Sequence, residues 1–173
     1  PIFMGGDHAL SLGTVLGVAR HAASVNRPLF VLWLDAHTDY HTPHTTSSGN
    51  LHGTPVGYLA GREGFEGFPK FEHPVPQENI CLIGLRSVDQ AEREDMRSTS
   101  IRGYDMRPID EMGIVKPLTE VLNDVRADNG WWHISLDVYF LDQSVSPAYR
   151  TYYSGASSGR QARFVMDTRY HML

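Results

Sequence analysis

Residues 29–34, LFVLWL, are six bulky apolar side chains in succession, with no alternation. A strand with one face in water alternates apolar and polar residues. An unbroken run needs cover on both faces, which a parallel sheet between helices supplies. The run stops at Asp35, and His37 and Asp39 follow at every second position. ICLIG at 80–84 and WWHISL at 131–136 read as two more such strands, the latter ending at Asp137. Pro1–Met4 is short and apolar and reads as a further strand, turning at Gly5-Gly6-Asp7-His8. Between the runs the spacing is helical. Residues 9–24 carry Leu12, Val15, Leu16, Ala19 and Ala22-Ala23, and Leu118, Val121, Leu122 and Val125 follow Pro117, a residue suited to opening a helix. A short helix is expected in 51–62 and a charged one over 89–98, with loops at 38–50 and 63–78. Strands alternating with helices predict one α/β domain on a mostly parallel sheet.

The 173 residues are 41% hydrophobic, enough for one domain with its own core. Net charge is −5 and the 15 basic residues are scattered, which argues against a nucleic-acid partner or an anionic membrane surface. No apolar run reaches the roughly 18 residues of a membrane span, and no basic-then-apolar leader precedes the first strand. The single cysteine, Cys81, lies in ICLIG and reads as a buried small hydrophobe, so a reducing, cytoplasmic setting is expected.

Open parallel sheets place their sites beyond the carboxyl ends of the strands. Here those ends bring His8, then Asp35, His37 and Asp39, then Asp137. Mixed imidazoles and carboxylates without a thiolate suit Mn²⁺ or another borderline-hard divalent ion. So many ligands exceed what one catalytic ion with an open position requires. They suit a pair about 3.5–4 Å apart sharing bridging carboxylates. Taken singly, GGDH reads equally as a capped turn, and Ser-Leu-Asp at a strand end says almost nothing. Their joint occurrence after apolar runs is what points to metal.

Four ordered blocks, GGDHALSLG (5–13), DAHTDYHTPHTTSSGNLHGTPV (35–56), IGLRSVDQAE (83–92) and SLDVYFLDQS (135–144), resemble the ureohydrolases. The TPHTTSSGNLHG form resembles arginase rather than agmatinase. The resemblance covers roughly residues 1–148 as a partial catalytic domain, with 149–173 its divergent continuation. It implies a three-layer α/β/α sandwich, usually a homotrimer or hexamer, that hydrolyses L-arginine to L-ornithine and urea by attack of a metal-bridging hydroxide on the guanidinium carbon. By the same resemblance His8, Asp35, Asp39 and Asp137 hold one Mn²⁺, and Asp35, His37 and Asp137 the other, Asp35 and Asp137 bridging. His52 matches a mobile proton-shuttling histidine, although a histidine on a surface loop needs no such role. Ser48 and Asn50 match contacts to the substrate carboxylate, and His41 stands where an asparagine usually makes another. Asp89 matches the acid that holds the α-ammonium; without the family it reads as a helix N-cap.

The chain also departs from the pattern S-[LF]-D-x-D-x-x-D-P. Tyr139 replaces the second Asp and Gln143 the Pro. A neutral phenol, with a pKa of about 10, cannot chelate through two oxygens, so a weak or absent second ion is expected. Ser154-Gly155-Ala156 stands where the family carries Pro-Gly-Gly. The resemblance also predicts sequence before Pro1 and a further acid-bearing strand beyond the tail. An inactive metal- or amino-acid-binding relative, and an agmatinase-like amidinohydrolase, are the competing readings.

Overall fold

A computed structural model describes residues 1–146 and 157–168. Four strands, β1 (Leu29–Leu34), β2 (Ile80–Leu85), β3 (Arg102–Asp105) and β4 (Trp131–Leu136), form one sheet in the order β3-β2-β1-β4, with every pairing parallel. All six residues of β1 and of β2 are buried, as their unbroken apolar runs require. Alternate β1 residues serve two separate cores. Leu29, Val31 and Trp33 pack with Val15, Ala19 and Ala22 of α1 (Ser11–Ser24) and with Val56 and Leu59 of α2 (Pro55–Leu59). Phe30, Leu32 and Leu34 pack with Ile109 of α4 (Met106–Met112), Leu118, Val121 and Val125 of α5 (Val115–Ala127) and Val165 of α6 (Gly159–Thr168). The result is the three-layer α/β/α sandwich. The shorter α3 (Gln90–Met96) follows β2.

The order of the strands places the site. The chain runs outward from β1 to β2 to β3, then crosses back over α4 and α5 to lay β4 on the far side of β1. The connections therefore diverge between β1 and β4. The crevice at their carboxyl ends is the switch point where ligands of open α/β sheets bind. Leu34 pairs with Leu136 in register, so Asp35 and Asp137 leave the sheet side by side.

Several expectations change. Pro1–Met4 is not a strand: it has no ladder partner among the described residues and leaves Ile2 and Met4 exposed. The helix of 9–24 begins with a 3-10 turn, His8–Leu10, that Asp7 caps by accepting the Ala9 amide at 2.8 Å. The helix in 51–62 shrinks to α2, preceded by a 3-10 turn at Leu51–Gly53. β3 and α4 had no counterpart in the sequence reading. RGYD is an edge strand with alternating burial and lacks the apolar run that betrays its neighbours. The Ser154-Gly155-Ala156 segment and the boundary at 148/149 lie outside the described residues. α6 beyond them packs Ala162 and Val165 into the core that α4 and α5 share.

Candidate metal centre

Asp35 leaves β1 with both oxygens committed, and its side chain is 1% exposed. Oδ2 stands 3.0 Å from His8 Nδ1, while Oδ1 accepts the His37 amide at 3.1 Å and lies 3.1 Å from His37 Nδ1. A carboxylate that faces one imidazole with each oxygen is placed to bridge. Asp39 and Asp137 close on the same His8 nitrogen, with Oδ2 atoms at 3.1 and 3.3 Å. Asp137 caps the 3-10 turn Val138–Phe140, and its Oδ1 accepts the Tyr139 amide at 2.7 Å. Asp39 has φ +48, a left-handed conformation that a non-glycine residue adopts only under constraint from its surroundings. The amides of Val56 and Gly57 both donate to its carbonyl and supply that constraint.

His8 is aimed by its second nitrogen. Nε2 lies 2.8 Å from Ser135 Oγ, and the ring stacks on Trp33 at 4.2 Å between centroids. Ser135 also contacts Ser11 Oγ at 3.3 Å. This outer partnership fixes which nitrogen faces the carboxylates, the arrangement typical of metal-binding histidines. Neither Ser135 nor Trp33 was singled out from sequence. Trp33 is hidden in an apolar run, and Ser135 has meaning only once β4 lies beside β1.

The electrostatics are those of buried carboxylates crowded around one imidazole. Burial works against a charged His8, but the close carboxylates of Asp35 and Asp39 prevail and push its pKa up to about 10. Burial likewise opposes ionisation of Asp35, but hydrogen bonds from His37 and His8 pull it down to about 2. At Asp39, burial and then the charge of Asp35 push the pKa up to about 7, and the same two causes raise that of Asp137.

One N–H cannot serve three carboxylates. The Nδ1 bond goes to Asp35, and Asp39 Oδ2 stays buried with no hydrogen bond among the described residues. Ligand atoms about 2.0–2.3 Å from a divalent ion and at right angles to one another stand about 2.8–3.3 Å apart. The three oxygens lie within that range of Nδ1. Ligand atoms of His8, Asp35 and Asp137 also lie within 4.8 Å of one another. His8, Asp35 and Asp137 therefore fit a divalent cation, and Asp39 Oδ2 stands 3.1 Å from the same imidazole nitrogen. The second cluster fits less well. His37 faces Tyr139 edge-on at 5.4 Å, where the pattern calls for a carboxylate.

The remaining candidates lie around this centre. His52 sits on the Leu51–Gly53 turn, which packs against the turn that carries His8; it is half exposed, with Nδ1 3.5 Å from Asp7 Oδ2. Ser48 and Asn50 occupy an exposed loop and bond each other, the Asn50 amide donating to Ser48 Oγ at 3.2 Å. Asp89 stands at the N-cap of α3, yet its side chain makes no capping bond. Its Oδ2 meets Nε2 of the buried His41 at 3.1 Å, and His41 Nδ1 contacts Thr45 Oγ1 at 3.1 Å. Glu92, which the sequence reading missed, is buried one helical turn on. It accepts the Tyr40 amide at 2.8 Å and lies 3.6 Å from His41. A glutamate three residues beyond Asp89, on the same helix face, was the available signal.

Comparisons with known proteins identify the family and the fold. An arginase from Brucella melitensis biotype 1 is 54% identical over 168 residues, covering 96% of this chain and 55% of its own length. The crystal structure of arginase from Bacillus subtilis superposes with a TM-score of 0.83 at 35% identity, over 96% of this chain and 58% of that one. That of Entamoeba histolytica arginase in complex with L-ornithine gives 0.82 at 26% identity, over 94% and 54%. The chain thus spans about half the length of the relatives it matches. The arginase family model matches residues 1–171, and the chain belongs to the arginase family.

Proposed function

We propose that this chain is the metal-ligating part of an arginase-type hydrolase that cleaves L-arginine to L-ornithine and urea. The observation that carries the reading is the convergence of Asp35, Asp39 and Asp137 on His8 Nδ1, with Asp39 Oδ2 left without a hydrogen bond. These four residues would hold one Mn²⁺, and Asp35, His37 and Asp137 would face a second. Such ions, when bound, activate water for attack on a carbon centre. The residues of the chain do the rest. Asp89, held by His41 at an exposed helix start, would take the α-ammonium, and Ser48 and Asn50 would reach the α-carboxylate from their loop. His52, half exposed at the rim, would pass a proton to the leaving amine and exchange it with solvent. We infer a cytoplasmic homo-oligomer, a trimer or hexamer. Among the described residues no helix is long and apolar enough to cross a membrane.

A second reading is an inactive protein that binds one ion. It is favoured by Tyr139, whose ring stands edge-on to His37. Counting bound manganese and urea release in saturating Mn²⁺, for the chain and its Tyr139→Asp variant, separates the two. Urea from both means that the phenol is tolerated. A second ion and urea only in the variant locates the defect at residue 139. A variant that binds two ions and releases no urea would sink the arginase reading for this chain.

A further inference from the structure

β2 and β3 end side by side, at Leu85 and Asp105, and α3 runs ahead of them. Between them lies a groove of about 480 Å³, within the roughly 300–1,000 Å³ of small-molecule sites. Leu85, Val88 and Met96 line it with apolar surface. Arg86, Arg93, Arg97 and Arg107 also line it, against the one acid Asp105. Four of the 15 basic residues of a chain with net charge −5 thus meet at one cavity. Two are engaged: Arg86 donates to the carbonyls of Gly84 and Tyr139, and Arg107 pairs with Glu111 at 3.0 Å. Arg93 and Arg97 have no acidic partner within 4.0 Å among the described residues. Arg93 lies in the last turn of α3 and Arg97 at its C-cap, one turn apart, where like charges repel. Thr38, which is fully buried, also lines the groove, and its Oγ1 has no hydrogen-bond partner among the described residues. Unbalanced guanidinium groups and an unused buried hydroxyl on a short apolar floor are what an oxyanion with a small apolar body would satisfy.

We propose that this groove binds a small molecule bearing a carboxylate or phosphate group, held by Arg93 and Arg97 with the Thr38 hydroxyl as an inner contact. Thr38 stands between His37 and Asp39 of the candidate metal centre, while Arg93 and Arg97 lie outside it, and the test reads binding alone. Isothermal titration of the 173-residue chain with inorganic phosphate and, separately, with butyrate distinguishes the two oxyanions. At least one is expected to bind once per chain with a Kd of about 1 mM or below. The R93A/R97A double variant should weaken that binding by about tenfold or more. Thr38→Val should weaken it by about threefold, and Arg126→Ala, a change to an exposed arginine on α5, should leave it unchanged. If circular dichroism shows the double variant unfolded, Arg97→Gln gives the same comparison. Absence of binding by both anions at about 10 mM overturns the proposal. So does affinity that ignores the Arg93 and Arg97 substitutions, or that falls equally with Arg126→Ala.

Discussion

At pH 7 the candidate metal position of the ion-free protein is held by a proton. His8 has a pKa of about 10, so its imidazole is charged between Asp35, Asp39 and Asp137. A metal ion needs the neutral imidazole and must displace that proton. Three pH units separate neutrality from the His8 pKa. At about 1.36 kcal/mol per unit the competition costs about 4 kcal/mol, or about a thousandfold in apparent affinity at pH 7. Apparent affinity for Mn²⁺ should therefore rise about tenfold per pH unit above pH 7, with about one proton released per ion. Below pH 7 the rise should be steeper, because Asp39, pushed up to about 7, must also give up its proton. The stability of the ion-free chain should move the other way. A histidine with a raised folded-state pKa stabilises fully below its unfolded value of 6.5, and that contribution is lost as pH climbs through about 10. Titration calorimetry at pH 6.5, 7.5 and 8.5, in two buffers of different ionisation enthalpy, reads both the affinity and the proton count. An affinity that stays flat from pH 7.5 to 8.5, with no proton released, would refute this account of the centre.

Two further predictions concern residues that touch no ion. Ser135→Ala removes the oxygen 2.8 Å from His8 Nε2, and should cost about 10–100-fold in Mn²⁺ affinity and about 1–3 kcal/mol of stability in the ion-free chain. Calorimetry beside urea denaturation separates the effects; a stability loss with unchanged affinity would show that Ser135 does not orient the ligand. Gly84→Ala forces a Cβ at φ +101 to within 2.6 Å of the Phe140 ring and 3.1 Å of the Asp35 carbonyl. Backbone strain and overpacking together predict a loss of about 2–5 kcal/mol, measured as a lower urea midpoint; an unchanged midpoint would contradict the packing described between Gly84 and Phe140.

How far the sequence could be read depended on whether each signal was local. β1, β2 and β4 announce themselves because burial on both faces demands apolar residues at every position. Asp35, His37, Asp39 and Asp137 stood out because polar residues at strand ends interrupt those runs. β3 escaped notice because an edge strand is half exposed and has no such demand on its residues. Pro1–Met4 misled because an apolar run does not carry its pairing partner with it. Glu92, Ser135 and Trp33 gain their roles only from strand order and from the crossing of α3 over the segment that carries His41. The Asp89 ambiguity likewise needed coordinates, since an N-cap position does not reveal whether the side chain turns to its own helix or to a histidine 48 residues earlier.

The pairing of β1 with β4 has a consequence for how the protein folds. Leu29 meets Trp131 across about a hundred residues of chain, so this contact belongs to the class that closes slowly. Asp35 and Asp137 share a site only after that closure, and His8 reaches Ser135 from 127 residues away. The four proposed ligands therefore come together only once β4 has docked. An ion that needs all four ligands cannot act as an early nucleus. It would arrive as a late clamp, leaving the folding rate almost unchanged and slowing the departure of β4 from the sheet.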